Sequence, residues 1–323
     1  MITKEQLLKY VTVSPLQGYA LYYEEDGQVL ECYNGLRKVG EPAVIDADSN
    51  FRMASVTKQF IGHGVRALIE NGKLAYGSTL DSIYEGLPEY MQKLTIEQLL
   101  NHVTGLRDDD GDENKMHMDR QLVDPDVLEF LCAQKDGYFT PGTQYKYSNS
   151  AYVLLGLIIE KLSGQCIEDY MRETVFRPFG MEHTEINRQG VTDIKNRVYG
   201  TALDGDRLVL HDQGHTSATI GDGAVYSNVN DLKVYLDRLA SMDLEKIYDL
   251  RSKADDGILY SKGMRISRYD GFTMWHHTGG TCGTHNFVGM IPEKKIKVIF
   301  LSNIDAIDAS LVRKSIEEYL EVK

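Results

Sequence analysis

Three short segments of this chain combine residue types that do covalent chemistry. Ser55-Val56-Thr57-Lys58 sets a hydroxyl and an amine three positions apart. On a helix, residues i and i+3 share a face, so the Lys58 amine comes within reach of the Ser55 hydroxyl. A serine hydroxyl is a weak nucleophile until a neighbouring base takes its proton. A lysine becomes such a base when burial and the positive end of a helix lower its pKa. Ser55 would also open the helix, leaving its own N–H without an intrahelical partner and free to donate to a developing oxyanion. Taken alone, the segment is a weak signal and reads more simply as an N-cap serine followed by a solvated lysine.

The second segment is Tyr147-Ser148-Asn149, after the turn at Pro141-Gly142. A phenol relays protons, and an amide binds both a carbonyl and an amine. Alone it is also a core tyrosine beside a helix cap. The third is His277-Thr278-Gly279-Gly280, at the end of an apolar run. Two glycines let a ligand approach the backbone closely, and an edge strand there would pair with an extended acyl substrate. Alone it is a strand ending in a glycine turn.

The elements that must position these segments follow from periodicity. Tyr19–Tyr23 and Val29–Tyr33 flank Glu25-Asp26-Gly27 and predict a hairpin. A helix is expected over Ser55–Glu70, with Phe60, Ile61, Val65 and Leu68 on one face and Asn71-Gly72 as its stop. Further helices are expected at Ile96–His102, Pro125–Gln134, Tyr152–Leu162, Ile167–Phe176 and Asn230–Ser241, with Ser148, Asn149 and Ser150 as candidate caps for the third. Phe272–His276, Asn286–Ile291 and Ile296–Ser302 read as strands, the last two joined by a turn at Pro292–Lys295. Ala309–Leu320 closes the chain as an amphipathic helix. A two-stranded hairpin alone is marginal in water. The economical architecture is therefore α/β of the α+β kind: one antiparallel sheet of about five strands, built from 1–72 and 256–323 and flanked by helices. Residues 73–255 form an inserted, mainly helical region of the same unit.

Composition narrows the function. The chain has 323 residues, 35 Lys+Arg and 48 Asp+Glu, for a net charge of −13. That balance argues against nucleic-acid or anionic-membrane binding, which needs a basic face. With 42% apolar residues it can bury a large core. Its longest apolar stretch, around Tyr152–Ile159, is far below the roughly 20 residues of a membrane span. The start, MITKEQLLKY, lacks an apolar export segment, so the expected location is cytoplasmic, with a trimmed exported chain left open. Cys32, Cys132, Cys166 and Cys282 form no CxxC and are expected to be reduced and mostly buried. His211 and His215 lie four apart but in a polar, glycine-containing stretch, so no metal is expected. Asp108–Glu113 lacks the glycine of a calcium loop and reads as a solvated acidic loop. There is no phosphate-binding glycine motif, and no cofactor is expected. The partner is a small-molecule or peptide substrate; oligomeric state is open.

The order S-x-x-K, Y-x-N and Lys/His-T-G resembles the penicillin-recognising serine hydrolases, and the tyrosine form of the second motif resembles their class C β-lactamase and D-alanyl-D-alanine carboxypeptidase branch. FRMASVTKQF, LTIEQLLNHVTGL, FTPGTQYKYSNSAYVLLGLIIEKLSG, FRPFGMEHT, HHTGGTCGTHNFVGM and VIFLSN all look like that branch, so the likeness runs from about Gly18 to Asn303. It implies a sheet flanked by helices with a site against a helical region. It also implies an acyl-enzyme on Ser55, with Lys58 and Tyr147 sharing the base and Asn149 positioning the acyl-side amide. His277, Thr278 and Gly279 would bind a substrate carboxylate or line the cleft. The backbone N–H groups of Ser55 and Gly280 would form the oxyanion hole. The substrate would be an amide or ester: a β-lactam, a D-amino-acid peptide or a small ester. The alternatives are an esterase or D-aminopeptidase with little β-lactamase activity, and a silent binding or sensor module. His277 stands where most β-lactamases have lysine. An imidazole titrates near 6.5, so recognition of a carboxylate through His277 is expected to strengthen toward pH 6.

Overall fold

The computed structural model describes residues 1–11, 17–108, 119–250, 257–305 and 307–321. The acidic run beyond Asp108 and the 255/256 boundary expected from the sequence lie outside the described residues.

Strands β1 (Tyr19–Glu25) and β2 (Gln28–Asn34) form the expected hairpin. Its turn residues Asp26 and Gly27 have φ of 49° and 79°, the left-handed pair that a two-residue turn between twisted strands requires. Short β3 (Phe51–Arg52), β4 (Glu185–Ile186), β5 (Thr201–Asp204), β6 (Arg207–Leu210) and β7 (Val225–Ser227) follow. The C-terminal third supplies β8 (Leu259–Ser261), β9 (Met264–Tyr269), β10 (Phe272–Thr281), β11 (Thr284–Ile291) and β12 (Ile296–Ser302). The main sheet has seven strands in the order β2-β1-β12-β11-β10-β9-β8, each neighbouring pair antiparallel. This corrects the expectation of about five. The two additional strands are a hairpin punctuated by Lys262-Gly263 and Asp270-Gly271, too short and too charged to carry an apolar signature.

The helices are α1 (Lys4–Leu7), α2 (Thr57–Glu70), α3 (Glu89–Gln92), α4 (Ile96–Leu100), α5 (Asp124–Cys132), α6 (Asn149–Ser163), α7 (Ile167–Met171), α8 (Arg177–Phe179), α9 (Val229–Ala240), α10 (Leu244–Ile247) and α11 (Leu311–Tyr319). Side-chain alternation sorts each central strand between the two faces of the sheet. Leu21, Tyr23, Phe287 and Phe300 pack with Leu7, Val312 and Ile316 under α1 and α11. Ala20, Tyr22, Val288, Ile299 and Leu301 belong to the larger core that contains α2, α6 and α9. Helix α6 is capped by Ser148, whose Oγ accepts from Ala151 N (3.1 Å), and it stops at Gly164 with φ 75°. Asn149 is thus the first helical residue, not the cap.

Residues 73–255 are helical in their main elements but also contain β4 to β7. Strand β7 pairs with β3 and β4, so this region is stitched to the chain immediately before Ser55. These strands have two to four residues, below the length at which period-2 alternation is visible. The four cysteines are free, as expected. None is fully buried, however, and Cys132 and Cys166 are exposed, which corrects the expectation of buried thiols.

Candidate active site

The Ser55 hydroxyl is placed by a short 3-10 turn, Ala54–Val56, that leads into α2. Ala54 has φ 46°, a left-handed conformation unusual for alanine, which turns the chain sharply out of β3. Three contacts hold that turn. Met53 N donates to Val225 O (2.7 Å), Asn286 Nδ2 donates to the Arg52 carbonyl (2.8 Å), and Val225 N donates to Thr57 Oγ1 (3.1 Å). Gly279 lies directly against it: a Cβ there would come within 2.2 Å of Met53 O. The glycine is required by this backbone-on-backbone approach.

Lys58 is completely buried, and its amine sits among three acceptors. Nζ donates to Ser55 Oγ (3.2 Å), Asn149 Oδ1 (2.7 Å) and the Asp222 carbonyl (2.9 Å). A buried amine needs hydrogen-bond partners, and these three oxygens supply them. The contact with Ser55 is local, one helical turn. The other two bring in segments 91 and 164 residues away. The Asp222 carbonyl was not anticipated from the sequence. Its loop is braced by buried Arg52, which donates to Gly223 O (3.1 Å) and Ser217 O (3.0 Å).

Tyr147 meets Lys58 through its ring, whose centre lies 5.0 Å from Nζ. Its hydroxyl oxygen is buried and has no protein hydrogen-bond partner among the described residues. Around it stand His102 (ring centres 4.3 Å apart), Tyr260 (5.9 Å) and His277 (6.3 Å). The structure therefore brings Ser55, Lys58 and Asn149 together by direct hydrogen bonds and adds Tyr147 by ring contact.

The third motif sits differently from expectation. Strand β10 does not stop before it; it runs on through Gly279 and Gly280 to a two-residue turn at Cys282-Gly283. Thr281 faces Thr284 across that turn and so forms a hydrogen-bonded pair; by alternation Gly280, opposite His285, is a non-hydrogen-bonded one. The Gly280 N–H is thus directed away from β11. On that outer side the ladder with β9 ends at His276–Arg265. The strand is interior over its first half and has an open edge only from His277 onward. Thr278 is half-buried and Gly280 exposed.

His277 is not a carboxylate receptor. The side chain is fully buried, with Nε2 3.2 Å from the Tyr260 hydroxyl and Nδ1 2.6 Å from the Thr278 carbonyl oxygen. Burial first, then the nearby Arg265 guanidinium, pushes its pKa well below the usual histidine range. The ring is enclosed and its burial disfavours the charged form, which is at odds with the expected pH-dependent recognition through it. The cation of this wall is Arg265, which sequence reading missed along with its strand. Its guanidinium lies 5.4 Å from the Tyr147 ring centre and 5.9 Å from that of Tyr260, and the residue is partly exposed. Among the described residues no group of acidic, histidine or cysteine side chains is arranged to hold a metal ion. His211 instead pairs with Asp305, which also accepts from Gly283 N behind the β10–β11 turn.

The family model described as Beta-lactamase matches residues 14–319. Penicillin-binding protein 4* of Bacillus subtilis (strain 168) is 33% identical over 226 residues, covering 64% of this chain and 49% of that protein. Protein flp of Staphylococcus aureus is 21% identical over 308 residues, covering 90% of this chain and 60% of that protein. The chain thus spans between 44% and 60% of the length of the first curated relatives it matches. Among solved structures, the octameric penicillin-binding protein homologue from Pyrococcus abyssi superposes with a TM-score of 0.79 at 25% identity, over 98% of this chain and 75% of that one. The D-amino acid amidase from Ochrobactrum anthropi SV3 shares the fold, with a TM-score of 0.77 at 23% identity over 94% and 92% of the two chains.

Proposed function

Because the chain belongs to the beta-lactamase family, we propose that it is a serine hydrolase that cleaves an amide or ester through an acyl-enzyme on Ser55. The observation that carries this reading is the buried Lys58 amine bridging Ser55 Oγ and Asn149 Oδ1. Ser55 Oγ attacks the substrate carbonyl carbon, and its proton passes to the Lys58–Tyr147 pair. The oxyanion is received by the N–H groups of Ser55 and Gly280. The same pair returns the proton to the leaving amine or alkoxide as the tetrahedral intermediate collapses. Water then attacks the acyl-enzyme by the reverse proton path and frees the acid. Asn149 accepts from Lys58 through Oδ1, so the side-chain group by which it would position an acyl-side carbonyl is its amide nitrogen, a donor. Thr278 and Gly279 line the cleft.

Arg265 rather than His277 supplies the fixed positive charge for an anionic substrate group. The silent-module alternative needs a damaged motif, and Ser55, Lys58, Tyr147 and Asn149 are all present. The test is intact-mass analysis after exposure to a fluorophosphonate, a fluorescent penicillin and p-nitrophenyl acetate. One adduct on the wild type and none on Ser55→Ala is expected. A wild type that takes no adduct from any probe, or an adduct mapped to another residue, overturns the reading. The penicillin arm separates a β-lactam-reactive site from an esterase or peptidase.

A further inference from the structure

The segment Asn101–Asp108 contributes nothing to the chemistry above, yet its His102 is packed into the centre of the site. His102 is fully buried and has φ 57°. Its ring lies 4.3 Å from the Tyr147 ring at an interplanar angle of 37°, and also touches Tyr260 (4.4 Å) and Tyr152 (5.1 Å). Its Nδ1 accepts a hydrogen bond from the Ser148 backbone N (3.1 Å), and its carbonyl accepts from Lys146 N (3.0 Å). One residue therefore grips the backbone N–H groups of Lys146 and Ser148, the two neighbours of Tyr147, and packs its ring against the phenol between them. From the other side, Asp108 Oδ1 accepts from Ser148 Oγ (2.9 Å) and Ser150 N (3.3 Å).

We propose that His102 is a positioning residue for the reaction, fixing the Tyr147 phenol and, through Ser148, the start of α6 that carries Asn149. The inference rests on the acyl-enzyme reading and adds to it a residue outside its three motifs. Burial, with Lys58 and Arg265 nearby, keeps the imidazole neutral. With Nδ1 accepting, the ring proton belongs on Nε2, which has no protein acceptor among the described residues. An uncharged ring with one lone pair is what this place requires. A ring that gained a second proton would lose the Ser148 contact and set a charge beside Lys58. Among the described residues the Tyr147 hydroxyl has no hydrogen-bond partner to orient it, so its placement there rests on packing and on the backbone grip supplied by His102.

The test pairs two substitutions. His102→Phe keeps an aromatic ring but cannot accept from Ser148 N. His102→Asn gives up the ring but offers an acceptor near Nδ1, in a residue that tolerates positive φ. Acylation by p-nitrophenyl acetate and by the fluorophosphonate is measured per folded molecule, with folding followed through the single tryptophan, Trp275. His102→Phe is expected to lower the acylation rate by about 10²-fold, the scale of a misplaced catalytic group, and His102→Asn by less than about 5-fold. On a Tyr147→Phe background the His102→Phe effect should shrink, because the phenol it positions is gone and only the placement of Asn149 remains. Labelled wild type together with full-rate His102→Phe, or a His102→Phe loss undiminished on the Tyr147→Phe background, overturns the proposal. Wild type that takes no label overturns the acyl-enzyme reading instead. Should His102→Phe not fold, the Asn variant decides: a loss of about 10²-fold in a folded His102→Asn shows that the accepted hydrogen bond is not what matters.

Discussion

The two faces of the main sheet bury similar kinds of apolar side chain and differ in the polar groups they enclose. Under α1 and α11, Leu21, Tyr23, Phe287, Phe300, Val312 and Ile316 form an apolar layer. The buried imidazole near it, His276, is stacked on Phe287 at 5.5 Å and hydrogen-bonded to Ser267 Oγ at 3.0 Å. On the opposite face the apolar core runs up to a cluster of polar side chains, Lys58, Asn149, His102, Tyr147, Tyr260 and His277; among the described residues Tyr147 Oη and His102 Nε2 are buried there without partners, as His276 Nδ1 is on the first face. Burying a polar group without a hydrogen bond costs on the order of 1–3 kcal/mol. Adjacent residues of β10 display the contrast: alternation sends His276 to one face and His277 to the other.

The comparison breaks most visibly if chemistry fails on the polar face. Lys58→Ala and Tyr147→Phe are each expected to lower the acylation rate by about 10²–10⁴-fold, the usual share of general-base catalysis. Their effects should not add, since both serve one proton transfer. Stopped-flow acylation of the double variant checks this, and a fully additive loss would assign them to separate steps. On the apolar face the opposite pattern is expected. Phe300→Ala should lower unfolding free energy by about 3–5 kcal/mol, with kcat/KM per folded molecule unchanged. Urea titration alongside active-site titration measures both, and a selective loss of activity would join the two faces functionally.

His276 sharpens the contrast through pH. Burial first, then Arg313 and Arg265, holds its pKa well below the usual value. Below about pH 6.5 the unfolded chain takes up a proton that the folded chain refuses, so stability falls as pH falls. His276→Gln should reduce that acid slope by up to about 1.4 kcal/mol per pH unit between pH 6 and 5. The raised pKa of buried Asp124 acts in the opposite sense and is common to both proteins, so their difference isolates His276. Urea unfolding at the two pH values reads it, and parallel slopes would show that His276 is not held neutral. The smallest effect expected is on specificity. Arg265→Gln should lower kcat/KM for a carboxylated substrate relative to a neutral ester by about five-fold, the scale of a partly exposed ion pair of about 1 kcal/mol. The wild-type ratio should stay flat from pH 6 to 8, since His277 is enclosed and its burial disfavours the charged form. A ratio that rises toward pH 6 would return His277 to the binding wall.

Local order was legible wherever a short stretch determines its own geometry. The Ser55–Lys58 contact needs only helical spacing, and the first hairpin only its Asp-Gly turn. The stops of α2 and α6 follow from Asn-Gly and Ser-Gly. The motif order S-x-x-K, Y-x-N, H-T-G was equally present in the chain itself. Tertiary structure alone decided what surrounds those residues. It brought Asn149 and the Asp222 carbonyl to the Lys58 amine, and added β8 and β9 with Arg265 to the sheet. It also wrapped His277 in Tyr260 and Thr278, so that a residue read as a titrating receptor for carboxylates became a neutral part of the wall. The physical reason is range. Backbone periodicity is set by neighbours within a turn or two. The protonation state and reach of a side chain depend on burial and on charges that the fold delivers from tens or hundreds of residues away.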